Sequence, residues 1–209
     1  MKAEGSVKQE HILEAAIRRF SHFGINKTTL TEIADDLDIS KPSLFYYFND
    51  KNSLIAAVVG KIVNEFLVGF EAALQSAGSV EEGLLSLVEV KREYFRKYSL
   101  LAMQGDSVDM SKTSAAIITV FEQARTKSVA LLSGLLQKGI EEGVLKPMDT
   151  KRTSNTLLDT LSAFEYCMKV RKSIPDLQEM EEIFDKQKDV LQMFLNGLKG
   201  PLQAGKEKN

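Results

Sequence analysis

Ser40-Lys41-Pro42-Ser43-Leu44-Phe45-Tyr46-Tyr47-Phe48 sets four aromatic rings in one unbroken row. In a helix each residue turns by about 100° from the last, so one face cannot bury four consecutive rings. The stretch reads as a short helix. Ser40 is suited to cap it, and Pro42 falls in its first turn, where a missing amide does no harm. Leu44 and Phe48 stand four apart and share the inward face. Lys41, Ser43, Tyr46 and Tyr47 fall on the other side.

The residues before this stretch form two further helices. Ile12, Leu13, Ala16, Ile17, Phe20 and Phe23 recur at spacings of three and four, the mark of a buried helical stripe. Gly24 follows where a C-terminal cap is expected. Asn26, Lys27 and Thr28 make a polar connection. Thr29-Leu30-Thr31-Glu32 reads as a capping box that opens a short second helix. Ile33, Ala34 and Leu37 face inward from it, and Asp35 and Asp36 face out. Asp38 tolerates the left-handed turn that ends it better than most residues do. Two short helices joined by three or four residues have the spacing of a helix-turn-helix. Its second helix lies in the major groove and presents its N-terminal residues to base edges. A tyrosine suits that place, since its ring packs on sugar or a thymine methyl while its hydroxyl reaches phosphate.

Gly24, Thr28-Thr29, Glu32-Ile33-Ala34, Leu37-Asp38-Ile39-Ser40, Leu44 to Phe48, Lys51 and Leu54 together closely resemble the signature of TetR-type transcriptional regulators. The resemblance covers roughly residues 8 to 60. It implies an all-α homodimer. The N-terminal three-helix helix-turn-helix domain is expected over 1–50. A larger helical ligand-binding and dimerisation domain is expected over 51–209, giving about nine helices. It also implies a small-molecule pocket in the larger domain, and a dimer bundle made by the last two long helices. Carried onto this chain, Thr29 would touch a phosphate. Lys41, Pro42 and Ser43 would enter the groove, Tyr46 and Tyr47 would meet bases or backbone, and Lys51 would grip a phosphate at a helix N-terminus. Two positions depart from the family pattern. Phe45 stands where tyrosine is usual, and Asp38 where glycine is usual.

Bulk charge does not advertise nucleic acid, because the net charge is −2. Through residue 51, seven lysines and arginines face eight acids. DNA binding must then rest on local geometry. With 44% hydrophobic and 27% charged residues, the chain can build a real core. It contains no uninterrupted run of about 18 apolar residues, so no membrane partner is expected. The N-terminus lacks an apolar signal region, and the single cysteine excludes an internal disulfide framework, so a cytoplasmic protein is expected. Cys167 reads as a small buried hydrophobe. His11 and His22 share a helix face with no third ligand nearby, so they read as surface residues and no metal is expected. No nucleophile motif, phosphate-cradling loop or catalytic cluster is present, which argues against an enzyme and against a cofactor. The rival readings are a protein-interaction module that uses the exposed rings and, further off, an all-helical enzyme.

Downstream, Asn49-Asp50 can cap a long fourth helix with the stripe Leu54, Ile55, Val58, Val59, Ile62, Val63, Phe66, Leu67 and Phe70, running to about Gln75. Ser79-Val80-Glu81-Glu82 reads as another capping box, opening a helix to about Tyr98. A polar break follows over 105–113. Helices are expected over 114–142, 151–172 and 176–198, with Ser173 and Pro175 between the last two and a frayed tail from 203. Phe66, Phe70, Tyr94, Phe95, Tyr98, Met103, Met110, Phe121, Phe164 and Met168 are core candidates, some of which would line a cavity suited to a hydrophobic or aromatic ligand. Glu93, Glu122, Asp159 and Glu165 fall near apolar stripes, and any that is buried must be paired, a cationic ligand being one possible partner. Leu157, Leu158, Leu161, Phe164, Met168, Met180, Ile183, Phe184, Leu191, Phe194, Leu195 and Leu198 give the last two helices wide apolar coverage, read as a self-association surface. The functional expectation is a ligand-responsive repressor. It would leave a near-palindromic DNA operator when a small effector binds, with the fourth helix linking effector to DNA.

Overall fold

Nine α-helices carry the described residues 2–104, 115–171 and 177–200 of the computed structural model, with side chains described over 7–101, 115–167 and 177–200. They are α1 (Lys2–Phe23), α2 (Leu30–Asp36), α3 (Lys41–Tyr47), α4 (Lys51–Ser76), α5 (Val80–Lys97), α6 (Ser99–Gln104), α7 (Ala115–Glu141), α8 (Thr150–Arg171) and α9 (Leu177–Leu198). Among the described residues there is no strand. One bridge, Leu145 to Lys199, ties the α7–α8 connection to the end of α9. The expected break at 105–113, the stop at Ser173 and Pro175, and the tail lie outside the described residues. So do the side chains of Met103, Met110 and Met168.

Two apolar clusters organise the chain. The first joins α1, α2 and α3 to the start of α4 through Ile12, Ala16, Phe20, Ile33, Leu44 and Leu54. The second joins α4, α5, α7, α8 and α9 through Phe70, Leu87, Leu132, Leu161, Phe184 and Leu191. α4 serves both, giving Leu54 and Val58 to the first and Phe70 to the second. By length and composition α4 could cross a membrane. Its packing against α1, α5 and α7 accounts for that composition.

Several local expectations meet the structure directly. Thr29 and Glu32 form the reciprocal capping box, Ser40 and Asp50 cap α3 and α4, and Gly24 ends α1 at φ 84°. Asp38 adopts φ 52°, the left-handed turn expected of it. At α5 the cap differs. Ser79 accepts from the Glu82 amide, but the Glu82 carboxylate accepts from Gly78 N (2.7 Å) instead of closing on Ser79. α5 ends at Tyr98, as expected, but α6 begins at once, a short helix that the sequence reading did not place.

Three readings need correction. Phe23 is exposed, because the stripe of α1 has rotated off the core by its last turn; the Arg19 guanidinium lies 5.3 Å from its ring centroid instead. Cys167 is exposed, since it shares the outward face of α8 with Tyr166, and Leu161 and Leu157 take the buried face. Most of the apolar residues read as a self-association surface are buried within one chain. Leu157, Leu161, Met180, Ile183, Phe184, Leu191 and Leu195 all belong to the second core. Among the described residues, the large apolar side chains that α8 and α9 leave outside are Tyr166, Leu177 and Met193.

Candidate nucleic-acid interface

α3 is set by its inward pair. Leu44 is 0% and Phe48 4% exposed, and both lie in the first core. With that side fixed, Tyr46 is driven out and is 83% exposed. The other two rings settle between these extremes. Phe45 is half-buried, with the Lys41 ammonium 5.6 Å from its centroid. Tyr47 is also half-buried, edge-on to Tyr46 at 5.2 Å. It lines a recess of about 220 Å³ with His11, Ile12, Leu37 and Ile39. Tyr47 is thus less free than its place in the sequence implied.

The remaining candidate contacts are held by caps. Thr29 is exposed, but its hydroxyl donates to Glu32 Oε2 (2.8 Å) and accepts from the Glu32 amide (3.3 Å). Lys41 and Pro42 are exposed in the first turn of α3, and half-buried Ser43 donates its amide to Ser40 Oγ at 3.3 Å. Lys51 is half-buried, and its ammonium donates to the Asn26 carbonyl at 3.2 Å. Burial lowers the Lys51 ammonium below its ordinary value, with the charge of Glu32 opposing. The α1–α2 connection and the start of α4 are thereby clamped together. Arg19, which sequence reasoning left unassigned, is consumed internally by Asp36 (2.5 Å) and Glu32 (3.3 Å). Its hydrogen bond is the main reason the Asp36 carboxyl sits low. His11 and His22 are exposed, and no cluster of metal-ligating side chains occurs among the described residues.

Behind this face, α4, α5, α7, α8 and α9 line an apolar cavity of about 400 Å³ that is open to one side. Ile62, Val63 and Phe66 bring α4 to its wall, and Tyr94, Phe95, Tyr98, Phe121, Met180 and Phe184 complete it. Two charged residues, Lys91 and Glu165, also line it and pair with each other. Glu165 was a sequence candidate, whereas Lys91 was not. Its signal was its place on the stripe Leu87, Lys91, Tyr94, Phe95 and Tyr98. Glu93, Glu122 and Asp159 are exposed, and Asp159 pairs with Arg125 at 2.8 Å. A larger groove of about 610 Å³ between α7 and α8 has Glu122, Arg125, Lys151 and Asn155 in its lining. Desolvating those groups opposes an apolar ligand.

A polar chain joins the cavity wall to α1. Tyr98 donates its hydroxyl to Glu65 Oε2 (2.6 Å), Lys97 donates to the same oxygen (2.8 Å), and Lys61 pairs with Glu65 (3.0 Å) and with Glu10 of α1. Burial acts to raise the Glu65 carboxyl, but the bonds from Lys97, Tyr98 and Lys61 outweigh it and hold it at about 2. The Glu10 and Glu65 pairs raise the Lys61 ammonium against the effect of burial.

Residues 12–58 match the model of the bacterial regulatory proteins of the tetR family. The chain is 28% identical over 150 residues to the HTH-type transcriptional regulator RutR of Escherichia coli (strain K12), covering 69% of this chain and 67% of that one. It is 24% identical over 165 residues to the HTH-type transcriptional repressor BepR of Brucella suis biovar 1 (strain 1330), covering 75% and 78%. Its fold matches the crystal structure of a transcriptional regulator from Cytophaga hutchinsonii ATCC 33406 with a TM-score of 0.82 and 29% identity, over 92% of this chain and 98% of that one. The outward α3 on a buried pair, the capped turn before it and these likenesses agree: the head over residues 12–58 is that of the tetR family of bacterial regulatory proteins, and the chain is a DNA-binding transcriptional regulator, not an enzyme.

Proposed function

We propose that this regulator is a cytoplasmic homodimeric repressor that leaves a near-palindromic operator when a small hydrophobic or aromatic effector enters the α4–α9 cavity. Residues 1–50 act as the DNA head and residues 51–209 as the effector and dimer domain. Thr29, Lys41, Pro42, Ser43, Tyr46, Tyr47 and Lys51 make the DNA contacts, with Tyr46 the most available and Tyr47 limited to its exposed edge. α8 and α9 supply the dimer contact, where Tyr166 and Met193 are left outside by the single chain.

The observation that carries this reading is the course of α4. It starts at Lys51, beside the head, and its middle turns present Ile62 and Phe66 to the cavity. A tilt of α4 therefore moves the head relative to the effector domain. A ligand shifts that equilibrium by its differential affinity for the two arrangements. Selection of binding sites from a random duplex pool tests the proposal. Enrichment of two inverted half-sites whose centres lie about 34–36 Å apart, or a multiple of that, is expected for a two-fold dimer. Enrichment of single half-sites would refute the paired-head arrangement.

A further inference from the structure

We infer that the apolar cavity takes a lipophilic cation, a molecule with one protonated amine or amidine on an aromatic or aliphatic frame, and that Lys91 competes with it for Glu165. This rests on the reading of the cavity as the effector site, and it adds the charge of the ligand.

Glu165 is fixed from behind. Gln187 is fully buried, and its Nε2 donates to the Leu161 carbonyl (2.8 Å) and to Glu165 Oε1 (3.1 Å). Lys91 is tied more loosely. Glu165 is its one partner among the described residues, and its side chain is half-buried at the end of a flexible four-carbon stem. Lys91 can swing toward water, whereas Glu165 cannot withdraw from the cavity without costing buried Gln187 one of its two hydrogen bonds.

The cluster is also short of a donor. Gln187 Oε1 is buried and has no donor among the described residues. Of this cluster Glu165 and Lys91 line the cavity, so an N–H-bearing cation meets the Glu165 carboxylate as a donor, whereas a carboxylate ligand would add another acceptor. The ring walls favour the same sign, because aromatic faces attract cations. Two of these rings already hold cations. The Lys97 ammonium lies 5.1 Å from the Tyr98 centroid, and the Arg92 guanidinium 5.8 Å from that of Phe184.

Calorimetric titration of the full chain at pH 7 and fixed ionic strength tests this with three matched probes: 4-phenylbutylamine, 4-phenylbutanol and 4-phenylbutyrate. The amine, protonated at that pH, is expected to bind about tenfold or more tighter than the other two. Glu165→Gln should abolish that preference while still accepting from Gln187. Lys91→Met should tighten amine binding several-fold. Tighter binding of the butyrate, equal binding of all three, or binding of none by folded protein would each overturn the inference. Binding to the selected duplex is read in parallel without probe. Its failure refutes the proposed repressor, whereas intact duplex binding without amine preference refutes the cation alone.

Discussion

The Tyr98 hydroxyl donates to the Glu65 carboxylate at 2.6 Å, joining the cavity wall on α5 to the helix that carries the head. Glu65 gathers three donors from two helices, and its neighbour Lys61 extends the link to Glu10 on α1.

That cluster gives the fold a pH dependence. The Glu65 carboxyl is held at about 2 when folded, below the ordinary 4.5. A depressed carboxyl stabilises the fold above its unfolded value, and the contribution is lost as pH falls from about 4.5 toward 2. Glu65→Gln should therefore cost on the order of 2 kcal/mol at pH 7, after allowance for solvent screening, and markedly less near pH 2.5. Urea unfolding of both proteins at the two pH values measures the gap. An equal gap at both would remove Glu65 as its cause.

Leu44 and Tyr46 lie two residues apart and should respond in opposite ways. Tyr46→Ala is expected to lower operator affinity while changing stability by no more than about 0.5 kcal/mol, since the side chain is exposed. Leu44→Ala should cost about 2–5 kcal/mol by opening a cavity in the first core. Thermal unfolding and duplex binding on the same samples separate the two effects.

Lys41 and Lys51 should differ in stability but agree in salt dependence. Each replacement by Met is expected to reduce the slope of log K against log salt by about one per head. Lys51→Met should also cost about 1 kcal/mol through the lost bond to the Asn26 carbonyl, whereas exposed Lys41 should leave stability unchanged. Fluorescence anisotropy across a salt series, with matched melting curves, checks both.

Asp38→Gly should stabilise the head by about 0.5–1 kcal/mol, because glycine takes φ 52° without a Cβ penalty. It also removes a negative charge from the turn before α3, so affinity for nonspecific duplex should rise. Chemical denaturation and binding to a scrambled duplex report the two changes independently.

Local signals made the head legible. The caps at Thr29, Ser40 and Asp50, the turn at Asp38 and the pairing of Leu44 with Phe48 all depend on residues within a few positions of one another. Tyr47 was read as outward because its depth depends on His11 and Ile12, far away on α1. α6 went unseen as a separate helix because its six residues follow the end of α5 at Tyr98 with no connection to mark a new start. Cys167 and Phe23 were misplaced for a related reason: helical period assigns a face, but the contact of a long helix with the core ends where its neighbour ends. The pairing of Lys91 with Glu165 spans 74 residues and had no local sign beyond a shared stripe.

The most direct measurement is the salt dependence of binding to the duplex enriched from the random pool. Two heads that each set Lys41 and Lys51 on phosphates should give a slope of log K against log salt of about −4. A slope near zero, with the protein folded and dimeric, would contradict DNA recognition by this face and would assign the exposed rings of α3 to a protein partner.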